Sequence, residues 1–137
     1  MKIRLLHGYK YESVDGYTCS TGIVRRGITD QAISHPYMHL DKNGVLEIFP
    51  GYAWDGSTCS FDKNSMRASL VHDALYQLMR EGLLPQDCRN MADRLLQQIC
   101  LDAGMSRIRA WWVYRGVSRF SKPFASPDRL RPPQEAP

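Results

Sequence analysis

A chain of 137 residues with 43% hydrophobic and 23% charged residues is long enough to bury its own core and too apolar to remain unfolded. No run approaches the roughly 20 apolar residues of a membrane-spanning helix, because arginines bracket Trp111-Trp112-Val113-Tyr114. A net charge of +4 is weak for a dedicated nucleic-acid binder.

The first residues carry no apolar signal-peptide core, so folding is expected in a cytoplasm. Cys19, Cys59, Cys88 and Cys100 show no C-x-x-C spacing, which argues against a zinc ribbon and for free thiols.

In chain order, the first half reads as strands. Lys10–Val14 and Tyr17–Thr21 flank Asp15-Gly16, a strong hairpin signal. Gly22–Gly27 is a short segment bounded by glycines. Tyr37–Leu40 and Val45–Phe49 flank the turn residues Asp41-Lys42-Asn43-Gly44 and predict a second hairpin. Alternation puts Val45, Glu47 and Phe49 on one face of the last strand and Leu46 and Ile48 on the other. Pro50 ends it. Residues 51–58 then read as a glycine-bearing loop from sheet to helices, with Trp54 as a plug in the core.

From Ser65 the apolar period becomes helical. Ser65 is the expected N-cap, Leu70, Ala74, Leu75 and Leu78 recur on one face, and Gly82 closes the helix. Pro85 opens a second helix that carries Met91, Leu95, Leu96 and Ile99 and stops at Gly104. A third runs from Ser106 to about Ser118. There Ile108, Trp112, Arg115 and Arg119 fall on one stripe, and the expectation is that the tryptophans enter the core while the arginines are solvated. Five prolines beyond Ser121 (Pro123, Pro127, Pro132, Pro133 and Pro137) mark a flexible tail. The predicted fold is α+β: a small antiparallel N-terminal sheet of hairpins, then three packed helices. Residues 1–120 form one domain and 121–137 the tail.

The chemistry concentrates in Leu70-Val71-His72-Asp73-Ala74-Leu75-Tyr76. Two helices joined by a few residues run antiparallel and touch. A connection from Glu81 to Gln86 sets His72 and Asp73 against the turn holding Asp93 and Arg94. Asp93 then comes within reach of His72 or of Tyr76, one turn further along the same face. Histidine titrates near working pH, and a carboxylate partner orients it and stabilises its charged form. The same four side chains would serve equally as a buried polar seam that fixes helix packing.

The pattern His72-Asp73-x-x-Tyr76 with Asp93-Arg94 on a second helix resembles the active-site helices of secreted phospholipase A2 and its shortened viral relatives. Tyr52, Trp54 and Gly56 precede His72 by 20, 18 and 16 residues, the spacing of that family's calcium loop. The resemblance implies that His72 is the general base, Asp93 the residue that holds its tautomer, and Tyr76 a hydrogen-bond partner of Asp93. It implies calcium bound by Asp73 together with the carbonyls of the Tyr52, Trp54 and Gly56 loop, and a second resemblance, to small phage proteins sharing Trp54-Asp55-Gly56-Ser57, adds Asp55 as a further oxygen ligand.

Gly51-x-x-Trp54-Asp55-Gly56-Ser57, Leu70–Tyr76, Ala92-Asp93 and Arg109–Tyr114 together are also similar to a family of small phage and prophage proteins of uncharacterised function. Two functions are therefore expected. One is a calcium-assisted hydrolase of a phospholipid or another cell-envelope ester. The other is a non-catalytic virion or tail component, or an accessory protein that binds host or phage proteins. The host cytoplasm or the virion is the expected location. Nucleic acid, through the arginine-bearing third helix, ranks last among the partners.

Overall fold

The structure, a computed structural model, describes residues 3–6, 10–23, 32–54 and 63–120. They fall into two compact units, one drawn from residues 1–55 and the other from residues 56–131. The predicted tail lies outside the described residues.

The first unit holds seven short strands: β1 (Ile3–Leu6), β2 (Lys10–Ser13), β3 (Tyr17–Ser20), β4 (Ile33–His35), β5 (Met38–Leu40), β6 (Val45–Ile48) and β7 (Tyr52–Trp54). They build two antiparallel sheets, ordered β1-β2-β7 and β3-β6-β5-β4. The β5–β6 hairpin is the one expected, with Leu40 opposite Leu46 and Met38 opposite Ile48. Asp41 organises its turn: Oδ1 accepts the amides of Asn43 and Val45 at 2.8 and 2.9 Å, the local side-chain bond that favours Asp at such sites. The predicted alternation holds, since Leu46 and Ile48 are buried and Glu47 is exposed.

Asp15-Gly16 does not close a hairpin. The strands on either side of it belong to different sheets, β2 pairing with β1 and β7, and β3 pairing with β6. Apolar register outweighs the local turn signal here, because β3 lays Tyr17 against Ile48 and Cys19 against Leu46. Gly16 has φ +76, and a Cβ at this position would lie 2.6 Å from the Ile48 carbonyl oxygen. The chain thus passes between sheets through a point where only glycine fits.

Three strands escaped the reading of the sequence. β1 and β4 are short, and β4 turns into β5 through only Pro36-Tyr37. β7 replaces part of the expected loop. Pro50 and Gly51, the latter at φ +91, make a tight turn closed by the Tyr52 amide on the Phe49 carbonyl at 3.3 Å, and Tyr52–Trp54 then pairs with β2. Trp54 is fully buried, as a core plug should be.

The second unit holds α1 (Lys63–Arg80), a 3₁₀ turn at Gln86–Cys88, α2 (Arg89–Asp102) and α3 (Arg107–Phe120). α1 begins two residues before Ser65, within the usual play of helix ends. From Ala68 to Met79 only Asp73 escapes full burial. Pro85 opens the 3₁₀ turn rather than α2 itself.

α1 and α2 end in the same way. The Leu83 amide bonds the Leu78 carbonyl and the Gly82 amide that of Met79. At the second end Met105 and Gly104 repeat the pattern on Cys100 and Leu101. These paired bonds need a left-handed residue, supplied by Gly82 at φ +74 and Gly104 at φ +100. Ser106 caps α3, its Oγ accepting the Arg109 amide at 3.2 Å. Ala68, Leu96, Cys100, Met105, Ala110 and Val117 form a shared core. Cys19, Cys88 and Cys100 carry thiols and are not joined in disulfides. Burial pushes the Cys19 thiol up to about 11.

Trp111 and Trp112 do not enter the core. They are 47% and 64% exposed, and Ile108 is 74% exposed. α3 instead turns Ala110 and Val117 inward, with Val113 partly covered beside them. Small residues on that face let the backbones approach closely and leave no room for indole rings.

Candidate functional site

The abrupt end of α1 at Gly82 and the short connection through Leu84 and Pro85 bring α2 back along α1 in the expected register. Asp93 sits between His72 and Tyr76. Its Oδ1 lies 2.7 Å from His72 Nε2 and accepts the Tyr76 hydroxyl at 2.6 Å. The two rings lie one turn apart, with centroids separated by 4.1 Å and planes inclined by 31°. All three side chains are buried, Asp93 to 1% exposure and His72 and Tyr76 to 2%.

Bonds this short to one carboxylate oxygen require two donors. Tyr76 is held protonated: burial first, then the hydrogen bond to Asp93 and the charge of Asp93, push its phenol far above the usual range, while the adjacent Arg89 pulls the other way. With Tyr76 donating, His72 must also donate, so Nε2 carries the proton. In the neutral ring Nδ1 then carries the lone pair. That atom is buried, and among the described residues no group hydrogen-bonds it.

α3 and the start of α2 complete the surroundings, through residues the sequence did not single out. Ser118 Oγ approaches Asp93 Oδ2 at 3.4 Å, a long contact. Arg89 Nη1 donates to the Ser118 carbonyl at 3.0 Å and so ties α2 to α3 beside the carboxylate. On the outer side Arg94 stacks over the Tyr114 ring at 4.5 Å, and the Tyr114 hydroxyl donates to Asn90 at 2.9 Å.

Asp73 follows His72 on α1 and is half-buried. Tyr52 and Trp54 belong to β7 of the first unit, both buried, and Asp55 and Gly56 lie outside the described residues. The structure therefore brings together His72, Asp93 and Tyr76. Among the described residues no group of three or more His, Cys, Asp or Glu side chains gathers closely enough to hold a metal ion. No described helix is long and apolar enough to cross a membrane.

Residues 48–117 match the family described as "Protein of unknown function (DUF1353)". The chain belongs to this family. The matched segment runs from the end of β6 through most of α3, so the polar cluster and the helices that frame it lie inside the family's domain. No curated protein matches the chain, and no solved structure does.

Proposed function

We propose that this member of the family is a small hydrolase of phage or prophage origin that activates water with His72 to cleave an ester of a lipid or another cell-envelope molecule. One observation carries the reading: a buried histidine whose Nε2 is fixed on a carboxylate and whose Nδ1 has no hydrogen-bond partner among the described residues. A buried polar atom left unpaired costs about 1–3 kcal/mol. A network serving only to pack helices gains nothing from that cost, whereas a general base needs a free lone pair.

In this reading Nδ1 takes a proton from water as the water oxygen bonds to the ester carbonyl carbon. Asp93 stabilises the imidazolium that forms, and Tyr76 keeps the carboxylate aligned. As the tetrahedral intermediate collapses, the C–O bond to the alcohol breaks and Nδ1 returns the proton to the leaving oxygen. The products are a carboxylic acid and an alcohol.

A calcium ion would supply positive charge for the developing oxyanion. Asp73 is the carboxylate beside His72 that would hold it, with the remaining oxygens drawn from backbone carbonyls.

The burial of the cluster favours a second reading, in which the protein is a virion or tail component, or an accessory protein that binds host or phage proteins, and the seam only fixes α1 against α2. Hydrolysis of short-chain esters and of phospholipid vesicles, with calcium and with chelator, separates the two. The hydrolase reading expects acid release that His72→Ala lowers by about 100-fold or more while circular dichroism is unchanged. No release from any substrate, or equal release by the variant, overturns it.

A further inference from the structure

The outward side of α3 has an unusual composition. Ile108, Trp112, Arg115 and Arg119 follow one another at helical spacing along the side opposite the buried Ala110 and Val117. Trp111 flanks the stripe, and its ring meets that of Trp112 at 5.0 Å, edge to face. The Arg115 guanidinium lies 5.7 Å from the centre of the Trp111 ring. Arg107 and Arg109 are exposed at the start of the same helix. α3 contains no acidic residue.

Three large apolar side chains thus stand in water side by side within a field of arginines. Exposed hydrophobic residues are common singly, but a contiguous group marks a contact surface.

We propose that this face of α3 docks on the surface of an anionic phospholipid bilayer. Tryptophan places an apolar ring and a polar N–H at the boundary between acyl chains and headgroups. Ile108 adds an aliphatic group suited to the acyl side of that boundary. The exposed guanidinium groups of Arg107 and Arg115 match lipid phosphates. Single-stranded nucleic acid fits less well. Edge-to-face indoles do not offer parallel platforms to successive bases, Arg115 already covers one ring, and an exposed isoleucine has no role in stacking. This surface stands apart from the His72 chemistry and is tested by binding alone.

The test is cosedimentation of the full chain with vesicles of phosphatidylglycerol and phosphatidylcholine, compared with vesicles of phosphatidylcholine only, while tryptophan emission is followed. Binding to the anionic vesicles with a blue shift of the emission is expected. Ile108→Ser combined with Trp112→Ser weakens it by about tenfold or more, and Arg115→Gln and Arg119→Gln by about fivefold each. These positions are exposed, so circular dichroism and thermal midpoint should hold. His72→Ala should bind vesicles as the parent does, whatever its effect on hydrolysis. Absence of binding to anionic vesicles at low salt, equal binding to neutral ones, or tighter retention on single-stranded DNA overturns the proposal.

Discussion

Replacing Asp93 by alanine removes a carboxylate oxygen shared by two buried donors, His72 Nε2 at 2.7 Å and the Tyr76 hydroxyl at 2.6 Å. Each donor left without an acceptor costs about 1–3 kcal/mol, so Asp93→Ala should destabilise by about 4 kcal/mol. Asp93→Asn keeps a carbonyl oxygen for both donors and loses only the charge assistance, while a buried charge no longer has to be desolvated. Its cost should be about 1–2 kcal/mol. Adding Tyr76→Phe to Asp93→Ala deletes one orphaned donor and should recover about 1–3 kcal/mol, a coupling that independent sites do not show. Urea unfolding measures all three through the midpoint at constant slope. An Asp93→Ala loss below about 1 kcal/mol, or an Asp93→Asn loss as large as the alanine one, would refute the network as drawn.

Two further expectations concern backbone and pH. Gly16→Ala should cost clearly more than Gly82→Ala by thermal or urea unfolding, because both positions have positive φ but only the first would press a Cβ against a backbone oxygen. The left-handed backbone alone costs about 1–2 kcal/mol, and equal losses would show that the approach to Ile48 is looser than described. The phenol of Tyr76 titrates far higher folded than its ordinary value of 10.0. Its contribution to stability is therefore complete below pH 10 and declines as pH rises beyond it, since the unfolded chain loses the proton first. Stability measured from pH 9 to 11 should fall more steeply in the parent than in Tyr76→Phe; parallel curves would contradict the assignment.

The pairing of α1 with α2 was legible in the sequence because it depends on local features. A glycine stop, a proline start and a connection of a few residues leave one antiparallel arrangement, and helical spacing then carries Asp93 to His72 and Tyr76. Ser118 and Arg89 were not legible, since the contact of α3 with α2 is set by packing rather than by the chain between them. The indoles were misplaced for a related reason: hydrophobicity favours burying tryptophan, but the close contact of α3 with its neighbours selects small residues such as Ala110. At Asp15-Gly16 the turn chemistry predicted a hairpin that does not form, because β3 finds its apolar register on β6, a partner far along the chain. β7 was hidden by the glycines around it, which suggest a loop whether or not a strand edge is there to pair with.

His72 is held as the tautomer protonated on Nε2, with its basic lone pair on Nδ1. Nitrogen-15 NMR of histidine-labelled protein, correlating ring carbon protons with both ring nitrogens, reads this directly. A pyrrole-type, proton-bearing signal is expected for Nε2 and a pyridine-type signal for Nδ1, with the two converging in Asp93→Ala. A proton-bearing Nδ1 in the neutral ring of the parent protein would contradict this assignment.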